Sequence, residues 1–432
     1  VDPSLVNTSA GAIELRNAAL AAMTLPVGGS ETNVIFMGGL LTDEVTEGVY
    51  AYVGPDERRL SDPTGRGEST QLYSTLHIAR THAQLARQAL QQFAPASPKA
   101  WQGELLAFEG YTVLWFAEYY CSGIPLTALR LNDVSQLSAG YTTQELFARS
   151  VALFDSAIVV GADSTRFVNM ARIGKARALL GLGEFAAADS AVRDVPTDFV
   201  YLIQFAPSSH FPNVFAQYQN LYYLRVQDNE GGNGLAWSTD PRPGLVPDQS
   251  ASTFLRSGKY NVVGTSMDPY TSKPGTPFRL ADGLEARLIQ AEAALAAGDA
   301  SWLTTLNTLR ATCIGSAVCA PVPGLTTANL PATLTDPGND ASRLDLLFKE
   351  RAMWLYLTGH RQGDLRRLAH VYHRPIESLW PTGTIVSPAF PPLTSTPQNE
   401  HGLPYGTDVV FLPDPTESVN NPLYAGCYDF NP

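Results

Sequence analysis

The sequence is short of charge. Of its 432 residues only 16% are Asp, Glu, Lys or Arg, against about 25% in an average globular protein. Lysine is scarcest: it occupies five positions, so arginine carries most of the positive charge, a pattern we read as genomic composition bias. Acidic residues outnumber basic ones and the formal net charge is −12. That argues against a nucleic-acid protein, which needs a basic stripe to meet phosphates. Long apolar runs are missing too, and a helix needs about 20 such residues to span a bilayer. Val1-Asp2-Pro3-Ser4 lacks the basic start and apolar stretch of a leader. A Val start is expected of a mature product whose signal was removed, more than of a cytosolic protein without its Met. There is no Gly-rich phosphate loop and no Gly-x-Ser-x-Gly elbow, so a nucleophilic enzyme has no sequence support.

Cysteine is sparse: Cys121, Cys313, Cys319 and Cys427. No two have Cys-x-x-Cys spacing, so zinc is a poor reading. The even count fits two disulfides, with three pairings open. Cys313 and Cys319 bracket a short loop that a bridge could close. Cys121 with Cys427 would tie the C-terminal tail to the body of the chain. Buried free thiols are the alternative.

What is present is enough apolar material for a core: 44% hydrophobic and 10% aromatic residues, which rules out disorder as a global description. Length alone suggests two or three domains of about 150 residues, although a helical array can run longer as one unit. The acidic balance suits an uncharged or sugar-like ligand, or a protein partner.

Helical periodicity dominates. A first helix is expected over 9–24, ended by Pro26-Val27-Gly28-Gly29. Residues 38–67 lack a sustained period and read as a loop. Leu72, Leu76, Ala79, Ala83, Ala86, Leu90 and Phe93 then form one apolar stripe. Leu105, Phe108, Thr112, Trp115 and Tyr119 repeat it, giving a helical hairpin. Thr143 is the expected N-cap of a helix carrying Phe147, Val151, Phe154 and Ile158. The run from Ala171 to Val192 places small residues where helices approach closely and resembles a tetratricopeptide unit. Residues 197–278 lose the helical period. They read as an ordered insertion in which Gly258–Val263 forms a strand. Helices return over 284–295, 303–309 and 346–357, and again from Arg361. From Pro375 onward the chain is Pro-rich and irregular.

Several segments, in order, resemble one family. These are "GGLLTDEV", "GELLAFEGYTVLWFAEYYCSGIPL", "EARLIQAEAALAAGD", "LNTLRA", "LLFKERAMWLYLTGHRQGDLRR" and "VVFLPDPTESVNNPL". The family is the SusD/RagB outer-membrane nutrient-uptake proteins, and the resemblance runs from about residue 11 to 423. It implies a mainly α fold, with tetratricopeptide-like helix pairs as an α/α scaffold carrying long loops and a few short strands. It implies one domain: an N-terminal scaffold over 9–196, the loop-rich region 197–278, C-terminal helices over 279–374 and a tail over 375–432. It implies a surface lipoprotein that captures an oligosaccharide or other nutrient without cleaving it. The implied partner is a SusC-like TonB-dependent transporter. The sequence departs from the family pattern at Trp354 and Thr358, where the family usually has Glu, so the ion pairs nearby must be altered. The N-terminal Cys that carries the family's lipid is not in the sequence, so a membrane link is inferred through that lipid alone.

Glu350, Arg351, Arg361, Asp364 and Arg367 have the residue types of acid/base machinery. Their register with an apolar stripe favours a buried ion-pair network that fixes helix packing. His370 with His373, and His77 with His82, have no third ligand nearby, so no metal is expected. The run 228–234 lacks the ligand spacing of a calcium loop and reads as a polar turn. No cofactor is expected. Aromatic and planar polar residues in irregular segments are the better ligand candidates, because sugars present apolar C–H faces and hydroxyl rings. These are Tyr52, Arg59 and Tyr73 near the early loop, and Tyr218, Tyr222, Tyr223, Asn229, Asn233 and Trp237 in the insertion. The competing readings are a helical-repeat scaffold that self-assembles at the cell surface with no small ligand, and an all-α glycosidase.

Overall fold

Apolar side chains stepping by three and four make most of this chain helical, and each stripe needs a partner to cover it. The computed structural model describes residues 7–30, 32–47, 59–60, 68–131, 133, 136–206, 224–226, 228, 230, 232–247, 255–257, 275, 277–312, 331–384 and 404–429. The fold is mainly α, a scaffold of packed helix pairs with a few two-stranded ladders.

The N-terminal half contains α1 (Ser9–Ala22), α2 (Val34–Leu41), α3 (Glu68–Phe93), α4 (Lys99–Tyr119), α5 (Thr143–Val160), α6 (Thr165–Gly181) and α7 (Phe185–Val192). From α2 onward neighbours in this series pack together, α4 against both α3 and α5, while α1 packs on α3. Close approach rests on small residues. Phe154 of α5 fits against Gly110 of α4 and Gly174 of α6. A Cβ at Gly174 would lie 2.3 Å from that ring. Gly174 sits inside the small-residue run expected to bring helices together.

Two expectations need correction. The N-cap of α5 is Thr142, not Thr143. Thr142 accepts from the Glu145 amide at 3.2 Å and its own amide donates to the Glu145 carboxylate at 2.8 Å, a capping box. The early loop is shorter than 38–67, because α2 runs through Leu41. Every residue of α2 is buried, so it carries no polar face and no helical period.

The insertion begins and ends on paired strands. Strand β4 (Val200–Ile203) pairs antiparallel with β8 (Phe278–Asp282), with a register shift between Tyr201 and Leu202. Between them β5 (Leu224–Arg225) pairs with β1 (Thr46–Glu47), and β6 (Leu245–Pro247) with β7 (Leu255–Ser257). Strands β2 (Ile124–Pro125) and β3 (Gly140–Tyr141) pair before α5. The strand expected at 258–263 falls outside the described residues. Asp282 caps α8 (Gly283–Ala296) through the Glu285 amide at 2.8 Å. Then come α9 (Ser301–Thr312), α10 (Asp340–Trp354), α11 (Arg361–His370) and a short α12 (Glu417–Asn420). One core runs through α1 to α7; a second, with Trp302, Trp354 and Trp380, gathers α8 to α11. Among the described residues no helix is long and apolar enough to cross a membrane.

Candidate functional site

A buried lattice of ion pairs fixes the geometry of the C-terminal half. Glu350 of α10 has no exposed side-chain surface. Arg242 donates to both of its carboxylate oxygens, at 2.7 and 3.0 Å, and Arg310 of α9 grips it from the other side. Arg242 is itself held by Asp240 at 2.6 and 2.8 Å. The next residue, Arg351, donates to Asp364 at 2.9 Å twice. Arg367 bridges Asp364 (2.8 Å) to Glu292 of α8 (2.6 and 2.9 Å). Arg361 clamps Asp43 at 2.7 and 3.0 Å. Burial would raise the carboxyls of Asp364 and Glu350, but the guanidinium groups outweigh it and hold both below the usual carboxylate range. Glu285 is likewise buried and likewise held low, chiefly by His360.

Four of the six sequence blocks that resemble the family supply part of this lattice. In "GGLLTDEV" Asp43 grips α11, while Glu44 accepts the Leu357 amide at 2.9 Å. That contact pins the turn after α10, where Leu357 takes a left-handed φ of 51° that a branched residue seldom adopts. In "LNTLRA" Asn307 and Arg310 fasten the following segment. Asn307 exchanges two hydrogen bonds with the Leu334 backbone, at 2.8 and 3.0 Å, and Arg310 donates to the Ala332 carbonyl.

That fastened segment is one wall of a cleft of about 820 Å³. Another part of the lining is the turn around Asn233. The Asn233 amide donates to the Leu379 carbonyl at 2.8 Å, and its oxygen accepts the Leu235 amide at 3.0 Å. Phe348, Leu365 and Leu368 add apolar surface, while Asp345, Lys349 and Arg374 bring charge to the lining. Arg374 is tied to Asp345 at 2.8 Å. Lys349 has no ion-pair partner among the described residues. Pinned polar walls with apolar patches suit a polar, uncharged molecule held by hydrogen bonds and C–H packing.

The ligand candidates separate. Asn233 lines the cleft. Arg59 is buried, its guanidinium spent on the carbonyls of Pro381 (2.6 Å), Asp408 (3.0 Å) and Thr407 (3.2 Å). Tyr73 is buried against His77, Phe116 and Tyr120 and donates to Glu417 at 3.3 Å. Trp237 is fully buried, 5.0 Å from the Tyr356 ring. In this conformation those three side chains pack and tether. Tyr52, Tyr218, Tyr222, Tyr223 and Asn229 lie outside the described residues. Among the described residues no three His, Cys, Asp or Glu side chains are placed to hold a metal ion.

No family model matches the sequence, and no curated protein matches it. Solved structures do. A SusD-like carbohydrate-binding protein from Bacteroides vulgatus is 14% identical, with a TM-score of 0.66 over 97% of both chains. Surface glycan-binding protein A from Bacteroides uniformis is 12% identical, with a TM-score of 0.62 over 97% of this chain and 99% of that one. NanU of B. fragilis is also 12% identical at a TM-score of 0.62, covering 100% of this chain and 98% of its own. The fold is SusD-like.

Within the SusD-like fold the two departures from the family pattern have local compensation. Trp354 stacks under Arg242, whose guanidinium carbon lies 4.8 Å from the ring centroid. Thr358 bonds His360 Nδ1 at 2.8 Å. Cys121 and Cys427 form a disulfide with Cα atoms 5.8 Å apart, which ties the tail to the end of α4. Cys313 and Cys319 lie outside the described residues. Sequence reading missed Arg242, the second buried partner of Glu350. It sits in an irregular stretch with no periodic signal, and only the acid two residues before it, Asp240, hinted at a pair.

Proposed function

We propose that this chain is a non-enzymatic cell-surface protein that captures an oligosaccharide or another small nutrient. It passes that cargo to a SusC-like TonB-dependent transporter, and a lipid at the N-terminus of the mature protein holds it to the outer membrane. Two of the similar structures are of proteins named for carbohydrate or glycan binding.

The observation that carries the reading is the cleft of about 820 Å³ with polar walls pinned by Asn233, Asn307 and Arg310. It sits on a scaffold in which arginines engage the buried carboxylates of Glu350, Asp364 and Glu292. A glycosidase needs a pair of carboxyls flanking the scissile bond, whereas among the described residues this cleft is lined by a single carboxylate, Asp345, which is tied to Arg374. Binding without cleavage is what such a site supports. Tyr218, Tyr222 and Tyr223, which lie outside the described residues, are proposed ligand contacts on their aromatic chemistry alone, as faces on which sugars stack.

Isothermal titration against an oligosaccharide panel tests this. At least one glycan should bind saturably and be recovered intact. Asn233→Ala, and the triple change of Tyr218, Tyr222 and Tyr223 to Ala, should each weaken it about tenfold, or 1.4 kcal/mol. Folded protein that stays silent across a broad panel would end the proposal. So would release of shortened products that stops on changing one carboxylate.

A further inference from the structure

A second hollow, of about 310 Å³, opens on a different face of α11. The cleft uses Leu365 and Leu368; this pocket uses Arg366 and His370. At 100° per residue those two pairs point away from each other. Its other walls are Thr143, Gln144 and Phe147 at the start of α5, and Tyr428 of the tail that the Cys121–Cys427 disulfide fastens in place.

The charges around it are unequal in their pairing. Arg177 is matched by Glu118, with bonds of 2.7 and 2.6 Å. Arg367 is matched by Glu292 and Asp364. Arg366 is 5% exposed and has no carboxylate within ion-pair distance among the described residues. Its Nη1 donates to the carbonyls of Ala117 and Tyr120, and its Nη2 reaches Thr143 Oγ1 at a long 3.4 Å. A guanidinium has five N–H donors, so two are left over after these contacts. Glu118, then Asp429, both on the pocket lining, attract Arg366 from beyond ion-pair distance. Burial without a paired carboxylate pulls the Arg366 guanidinium down to about 10, and it still carries its charge at neutral pH.

A cationic group with spare donors, beside an aromatic ring and the N-terminal turn of an 18-residue helix, is complementary to an anion with an apolar body. The volume is at the small end for ligand cavities. We propose that this pocket is a second binding site, for a small organic carboxylate of about monosaccharide size. Arg366 receives the carboxylate and Phe147 packs on the carbon skeleton. This inference stands apart from the glycan cleft, and it survives or fails whatever the oligosaccharide panel gives.

Benzoate and its neutral counterpart benzyl alcohol are the probes, read by saturation-transfer NMR and titration on the intact, oxidised protein. Benzoate should bind about tenfold more tightly, the value of a charge-assisted contact. Arg366→Met should erase that preference. Because Arg366 also holds carbonyls at the end of α4, Gln144→Glu serves as a second variant. It adds an acid at an exposed first-turn position that tolerates one. It should weaken benzoate at least threefold while leaving benzyl alcohol unchanged, about 0.6 kcal/mol or more. Equal binding of the two probes overturns the proposal. So does absence of benzoate binding, or full benzoate affinity in Gln144→Glu.

Discussion

Glu350 receives two guanidinium groups in a place water does not reach. Removing its charge leaves Arg242 and Arg310 buried beside each other with one acid, Asp240, between them. We expect Glu350→Gln to cost about 3–5 kcal/mol, the usual penalty for breaking a buried pair, read as a lowered urea midpoint at unchanged slope. Asp340→Asn breaks a pair of the same formal kind, with Arg343, at a side chain 98% exposed, and should leave the midpoint where it is. Equal effects from both would show that burial does not set the value of these pairs. At this scale the acids and arginines of the 350–367 block were legible, because a charge in register with an apolar stripe must find a partner. Their partners were not. Asp43 lies 318 residues before Arg361, and nothing in local spacing encodes that contact. The ligand candidates show the same limit. Tyr73 and Trp237 are aromatic in or beside irregular chain, as a sugar platform would be, yet tertiary packing buries both.

Helix α2 shows what a pattern cannot report. Its eight residues, VIFMGGLL, are all buried and all apolar or glycine, so the alternation that revealed α3 has nothing to alternate with. Its two glycines look like breakers and are contact points. A Cβ at Gly38 would lie 2.5 Å from the Tyr119 hydroxyl, and that hydroxyl donates to the Val34 carbonyl at 2.7 Å. Gly38→Ala should therefore destabilise by about 1–3 kcal/mol through overpacking, although alanine is the better helix former. Combined with Tyr119→Phe, which removes the clashing oxygen, the loss should fall short of the sum of the two single losses. Strict additivity in a double-mutant cycle would mean that the contact does not limit this helix. Helix α3 was readable because it has a wet face, and α4, buried from Gln102 to Tyr119, because it is long enough to show an apolar stripe among buried polar residues; α2, the Asn233 turn and the insertion were not, because their conformations are set by what lies across from them.

Over the whole molecule the buried charges make stability depend on pH in two steps. His77 is buried between Tyr73 and Phe116, and burial, then Arg80, pushes its pKa well below the ordinary 6.5. The unfolded chain therefore binds a proton there that the folded chain refuses. Stability falls as pH drops below about 6.5, by up to about 1.4 kcal/mol per pH unit. Asp364, Glu350, Glu285 and Asp240 also have folded pKa values below their unfolded ones. Their contribution is complete above about 4.5 and is lost as pH falls through the unfolded value toward the folded ones. Urea midpoints should thus be level from pH 8 to about 7, slope gently to about 5, and drop steeply below about 4. His77→Gln should flatten the gentle segment and leave the steep one, because the ion-pair lattice, built from α8 to α11 with Asp43, Asp240 and Arg242, does not include His77. If the variant kept the gentle slope, the proton would have to be taken up elsewhere. If the steep segment were missing, the lattice would not be the part of the frame that acid dissolves.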